Sequence, residues 1–585
     1  MSKEHIVNIS ILLAVIIPLL FFQYPLMKYY QQSIPESEFS LTTARGDVGF
    51  TYDLNMYGND IISVYQNPGL FLKEPISYEH KGEIIPLQGS IPFLMHALIY
   101  AFLKDMTLTL ILGSIISTAI TIILLYFISD FFQKKYLKKS SMINTFFLVV
   151  SFFTLPYVFF ELLNMGNKIL MRPYIGYVGR FISINHVIIF LLLWFLILIY
   201  ALQSNRKAWL VALGVSLALL QYSYFYFYSA ALLFTATAFF TKFGFKSVHR
   251  LFWIYITWFV LSAPYLANML FSGASKEFMR KAGVAYSNFH SFAIHLAILS
   301  LFSAAFFVLN YFYVKRQSKG DIIKTIKESN LVIALLAVGV FFINIQYILG
   351  YTIQPSHWIV TFVFPIGILV AFGHIITFLA VVGERKKYAL AALSFVTLIL
   401  MIGAAFHLST SARQWHKYFY FDSDDQKLME FIKTTPEDSV FFGDTSYTND
   451  IISVNTERRT LLGHPLQSIM PISEINSRIL YGYEKLNFSR GKLYNDIMQS
   501  ASYFDYLGKL RSLEFEEPYQ NFNNIFHYYH LAYATNAVYG PEKLISDLSN
   551  TESKTFKLDY AVYGYPITSE NAVFANKKYT VVKVS

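Results

Sequence analysis

The chain has no cysteine among its 585 residues, which removes disulfides, thiolate metal centres and a cysteine nucleophile together. Charge is scarce as well: 14% of residues are Asp, Glu, Lys or Arg against 55% that are hydrophobic, and the mean hydropathy is +0.43. Nucleotide and zincin signatures are missing. No Gly-x-x-x-x-Gly-Lys-Ser/Thr, no strand-linked Gly-x-Gly-x-x-Gly and no His-Glu-x-x-His occurs, so ATP-driven transport, dinucleotide chemistry and zincin hydrolysis lack their parts. There is no internal repeat and no low-complexity tract. What the chain does have is apolar sequence in membrane-length runs, the mark of a polytopic α-helical membrane protein. Its aromatic content of 18%, with 43 Tyr and 56 Phe, suits membrane-interface belts and also sugar-stacking surfaces.

The net charge of +10 does not point to nucleic acid, because the basic residues sit in short loops between apolar runs, as membrane topology requires. Residues 6–24 read as a retained first span with the N-terminus in the cytoplasm. Residues 25–106 form a long first outside loop, in which the apolar stretch 91–103 is too short to cross and reads as an interfacial or re-entrant helix. The remaining spans read as 107–129, 142–162, 183–203, 208–222, 226–241, 251–271, 292–313, 331–349, 357–381 and 388–407, about eleven in all. This map puts Lys134, Lys135, Lys138 and Lys139, then Lys242, Lys246 and Arg250, then Lys315 to Lys327 inside, and the C-terminus outside. It needs two short helices across 208–241 rather than one long one. Residues 1–407 are then a membrane domain. Residues 408–585 are a soluble extracytoplasmic α/β or α+β domain, with a helix over 424–434 and strands over 439–443, 459–462, 557–565 and 578–584. Its mixed composition predicts that it folds on its own.

The most informative polar stretch is residues 45–60. It carries Asp47, Asp53 and Asp60 beside the membrane, and its glycines at 46, 49 and 58 predict a loop with short helical pieces rather than an unbroken helix. One reading is a solvated loop; the other is a carboxylate held over a lipid-linked substrate. Two outside loops carry cations against the usual bias: Lys168, Arg172 and Arg180 in one, and Arg280 and Lys281, followed by His290, in the other. Cations there suit a phosphate headgroup, Arg as a bidentate fork and Lys as a point charge. His186 and His357 fall at the ends of expected spans, where ionisable groups are functional candidates.

The succession of one span, a long outside loop opening on Gly46-Asp47-Val48-Gly49-Phe50, a short apolar helix over 86–100, many spans and an outside tail resembles the GT-C integral-membrane glycosyltransferases. The stretch 428–463 is similar to the tail of bacterial proteins of that type. In the 86–100 helix the order departs from the family, since Pro92 precedes Phe93-Leu94 and His96 comes later, so no role is carried over to His96. The resemblance implies an inverting enzyme in a bacterial cytoplasmic (inner) membrane. It would move a sugar from a polyprenyl-phosphate donor to a glycan, lipid or protein acceptor on the outer face, with no nucleic-acid partner. It implies Asp47 as general base with Asp53 as the substitute, and Asp60 as a helper or ligand of a divalent cation (Mg or Mn). Lys168, Arg172, Arg180, Arg280 and Lys281 would hold the donor phosphate. Two other classes stay open: a lipid or polysaccharide transporter or flippase, and a non-catalytic envelope-assembly protein on the same scaffold.

Overall fold

The computed structural model describes residues 37–39, 51–138, 140–164, 185–271, 326–349, 358–381, 391–392, 394–399, 402–403, 420–462, 469–498, 541–552 and 554–584. Expected spans 6–24 and 292–313 lie outside these residues. Among the described residues the membrane portion is helical: α1 (Thr51–Gln66), α2 (Leu94–Leu103), α3 (Met106–Leu137), α4 (Met142–Asn164), α5 (Asn185–Ala201), α6 (Lys207–Gln221), α7 (Phe225–Phe243), α8 (Ser247–Phe271), α9 (Asn330–Leu349) and α10 (Phe364–Val381). Three described stretches are long and apolar enough to cross a membrane: Met106–Leu137, Phe225–Leu270 (which a left-handed Gly244 divides into α7 and α8) and Thr361–Ala380. Met142–Leu155, His186–Ala201, Lys207–Gln221 and Asn330–Phe342 are shorter apolar helices, and so is Ile91–Leu103.

These helices close on one apolar core. Trp194, Phe195, Phe234 and Phe362 are fully buried in it, and the Trp194 ring meets Phe234 at 5.6 Å and Phe362 at 5.7 Å. The stretch 208–241 does split into two helices, α6 and α7, at Tyr222-Ser223-Tyr224. The first loop lies against that turn: Phe71 stacks near Tyr222 (5.8 Å) and Tyr265 (6.2 Å). Gly89 is pressed so close that an added Cβ would sit 1.8 Å from the Tyr222 carbonyl oxygen. The α6–α7 turn and the end of α8 are therefore on the loop's side of the bundle.

The C-terminal part is built on a five-stranded sheet of order β6-β5-β7-β9-β8, formed by β5 (Val440–Gly443), β6 (Arg459–Thr460), β7 (Tyr560–Tyr563), β8 (Ala572–Ala575) and β9 (Thr580–Lys583). Strand β5 runs parallel to β6 and β7, while β9 runs antiparallel to β7 and β8. Around the sheet pack α11 (Ser423–Thr434), α12 (Ser446–Thr456), α13 (Ile472–Lys485) and α14 (Pro541–Ser549). Helix α11 starts where the sequence indicates because Asp422 and Asp425 form a reciprocal capping box.

The first loop is woven into this domain. Its strand β1 (Ser37–Phe39) pairs antiparallel with β4 (Tyr420–Asp422), and β2 (Phe71–Lys73) pairs with β3 (Ile84–Gly89) beside it. Glu74 accepts the Ile76, Ser77 and Ile469 amides. The buried Arg459 donates to the Pro75 and Ser77 carbonyls. Arg478, with no exposed surface, reaches Glu79 at 2.7 Å and Glu474 at 2.7 Å. Ionic groups this deep are retained where partners on both sides satisfy them. Arg478 thus takes one carboxylate partner, Glu79, from the loop and the other, Glu474, from its own domain.

The clamp that these contacts form between loop and domain also holds a titratable histidine, His80. His80 contacts Glu474 through Nε2 at 3.0 Å and Glu83 through Nδ1 at 3.2 Å. Burial alone would lower its pKa, yet the hydrogen bonds and charge of Glu474 and Glu83 outweigh burial and raise it above the ordinary 6.5. Glu79 shows the opposite balance: burial would raise it, but Arg478 and the Lys557 amide hold it below 4.5. A raised His stabilises below its unfolded pKa and stops doing so as pH climbs through the folded one. A depressed Glu loses its contribution as pH falls through its folded pKa. The detergent-solubilised protein should therefore unfold at its highest temperature between these limits, and His80→Asn should flatten the alkaline limb. An unchanged alkaline limb in that variant would remove His80 from the clamp.

Candidate functional site

The acidic stretch leads into α1. Contrary to the sequence expectation, α1 runs unbroken through Gly58. The reason is close approach: a Cβ at Gly58 would lie 2.7 Å from Val454 Cγ1 on α12, so glycine here serves packing rather than a turn. Ile61, Ile62 and Val64 of α1 join Leu72, Ile85, Phe93, Ala97, Tyr100, Met106, Leu110 and Val454 in one apolar cluster. That cluster ties the first loop, α2, the start of α3 and the C-terminal domain together. Gly58→Ala should add roughly 1 kcal/mol of helix propensity yet lose about 1–3 kcal/mol to overpacking, a net destabilisation that Val454→Ala relieves in the double variant. The midpoint of chemical unfolding reports both, and a stabilising Gly58→Ala on the Val454 background would show that the two helices do not meet there.

Asp53 occupies the first turn of α1, one turn before Tyr57; Asp60 follows two turns after it, about 10 Å along the axis, and is 3% exposed. Tyr57, between them in sequence, belongs to a ring cluster. It stacks on Phe93 at 5.8 Å and meets His186 edge-on at 6.2 Å. His186, in the first turn of α5, lies 5.3 Å from both Phe93 and His96. Both imidazoles are buried, and among the described residues neither nitrogen of His96 nor Nδ1 of His186 has a hydrogen-bond partner. The His96 ring fits only because residue 113 is glycine, where a Cβ would be 2.1 Å from Nε2. Buried, unsatisfied ring nitrogens cost stability, and such groups in native proteins call for a functional or solvent explanation.

The structure thus gathers Asp53's helix, Asp60 and His186 at one junction between bundle and C-terminal domain. It adds Tyr57 and His96, to which the sequence assigned nothing. A second set of fixed points surrounds them: Tyr100 donates to Glu457 at 2.8 Å, and Lys104 pairs with Glu457 at 3.6 Å. Asp47, Lys168, Arg172, Arg180, Arg280, Lys281, His290 and His357 lie outside the described residues. Among the described residues no three His, Asp or Glu side chains converge as a metal site.

No family model matches the chain. No curated protein matches it either. Solved structures do: it is similar to the oligosaccharyltransferase of Archaeoglobus fulgidus tethered to an acceptor peptide. There the identity is 12%, the TM-score 0.42, and the match covers 78% of this chain and 64% of that one. A complex of the archaeal enzyme with an inhibitory peptide and a dolichol-phosphate matches at 10% identity and TM-score 0.45, over 95% of this chain and 69% of that one. A third, with Zn and sulfate, matches at 11% and 0.41, over 94% and 68%. The chain spans between 64% and 69% of the length of these proteins. At this level of similarity no activity, ligand or site residue passes from them to this chain.

Proposed function

We propose that the chain is a membrane glycosyltransferase of the GT-C type that takes a sugar from a polyprenyl-phosphate donor and delivers it to a glycan, lipid or protein acceptor on the outer face. One observation carries the reading. The helix that leaves the acidic loop is fixed in a single core between membrane helices and the C-terminal domain, where a lipid-borne donor and a water-borne acceptor can meet. A solvated loop with surface acids would have no need of that anchorage.

In this reading a carboxylate of the loop, Asp47 first and Asp53 second, takes the proton of the acceptor hydroxyl as its oxygen bonds to the anomeric carbon. The bond from that carbon to the phosphate oxygen breaks, its electron pair leaves on the polyprenyl phosphate, and the configuration inverts. Lys168, Arg172, Arg180, Arg280 and Lys281 would neutralise the growing phosphate charge; Asp60 would be the candidate ligand of a divalent cation, which when bound would supply further charge neutralisation. His186, His290 and His357 remain further candidates, and His96 lies beside His186. The assay is transfer of labelled sugar from polyprenyl phosphate in liposomes containing the purified chain, against a panel of glycan, lipid-linked and peptide acceptors. Absence of both transfer and donor hydrolysis across that panel would refute the reading.

A further inference from the structure

At the end of α3 remote from the acidic loop, three lysines from three helical segments face one cavity. We propose that this cavity binds a phosphate group, either as the free anion or as the headgroup of an anionic phospholipid. Gly113, against which His96 packs, and Lys135 are both on α3, about 33 Å apart along its axis, so the cavity is separate from the α1 site.

Lys135 stands in the last turn of α3 and Lys242 in the last turn of α7. Lys327 precedes α9, whose first residue, Asn330, also lines the cavity with Gln203 and His374. One carboxylate, Glu328, lies among them, so three ammonium groups face a single compensating charge. The cavity measures about 50 Å³, several times the roughly 10–15 Å³ that one water requires, and suited to one small tetrahedral anion. Two amide side chains, Gln203 and Asn330, add neutral donors.

The inside bias of cations accounts for lysines at this end of the bundle. It does not account for their convergence from segments far apart in the chain. Neighbouring lysines show the contrast: Lys134 is paired with Asp130 at 2.8 Å, whereas among the described residues neither Lys135, Lys242 nor Lys327 has a carboxylate within ion-pair distance. Ammonium groups around a polar cavity with no carboxylate at ion-pair distance among the described residues are what a multivalent oxyanion neutralises.

The test follows the thermal midpoint of the purified full chain in detergent, with potassium phosphate against potassium chloride at matched ionic strength. A parallel arm compares nanodiscs of phosphatidylglycerol with nanodiscs of phosphatidylcholine. A rise with phosphate identifies a soluble anion; a rise with phosphatidylglycerol alone identifies a lipid headgroup. Each of Lys135→Gln, Lys242→Gln and Lys327→Gln should weaken the apparent affinity roughly tenfold, the triple variant should lose the response, and Lys134→Gln should keep it. Should the triple variant not fold, the three single variants decide. No response to either probe, or a response that the lysine variants retain, overturns the proposal. Binding is read without any transfer assay, so the outcome stands apart from the fate of the glycosyltransferase reading.

Discussion

Asp47→Asn is expected to lower sugar transfer by roughly 10² to 10⁴-fold, the usual contribution of a general base, while the protein still folds and still binds the donor. Asparagine keeps the size and most hydrogen bonds of the carboxylate but cannot accept the acceptor's proton. The loss should therefore fall on turnover rather than on donor affinity. Asp53→Asn separates the two neighbours. Asp53 lies in the first turn of α1, which Gly58 packs against Val454, so its backbone is held more firmly than a free loop would allow, and a larger loss there would move the base assignment to it. Arg172→Ala and Arg280→Ala should weaken donor capture and turnover together, because the phosphate is charged in both ground and transition states. Full transfer in both Asp variants, measured with a working donor and acceptor, would sink the catalytic reading of residues 45–60.

The second large effect is structural. Arg478→Ala should destabilise the C-terminal domain by about 3–5 kcal/mol, the range for removing one member of a buried ionic set. The guanidinium has no exposed surface; it donates to Glu79 and Glu474, to the Leu461 carbonyl at 3.3 Å, and lies 4.3 Å from the Phe556 ring. Its loss leaves two carboxylates facing each other across the loop–domain contact and also empties packed volume. Glu79→Gln should cost less, since that side chain is 32% exposed and water can replace part of the pair. Limited proteolysis within residues 70–90 and the unfolding midpoint in guanidinium are the readouts. An Arg478→Ala protein as resistant as the parent would show that the loop is held without this residue.

Much of the architecture was legible because its signals are local. Residues 424–434 carry their own cap in Asp422 and Asp425, and 440–443 and 580–583 are short apolar β-branched or aromatic runs; all three formed as read. The stretch 91–103 was too short to cross a bilayer, and the fold uses it as a short helix against α1. The missed features depend on partners remote in the chain. Gly58 read as a breaker because nothing nearby announces Val454. His96 carried no assigned role because the order of the 86–100 stretch departs from the family's, and the glycine that admits its ring, Gly113, is one helix on. Arg459 and Arg478 passed as ordinary charges of a mixed domain, since the carbonyls and carboxylate they satisfy belong to residues 75–79. The His80–Glu474 pair was invisible for the same reason. Periodicity reports which face of an element is apolar and does not report what that face will meet.

The contact between Gly58 and Val454 also sets a clock. The two positions are separated by about 400 residues, and chains are made at roughly 5–20 residues per second, so about 20–80 seconds pass between the synthesis of one and the other. During that interval Ile61, Ile62, Val64 and Leu72 lack part of the surface that later buries them. A newborn loop with an unfinished apolar face beside a bilayer must be shielded by lipid, by α2 or by a chaperone until the tail emerges. A segment made late thus completes the burial of one made early.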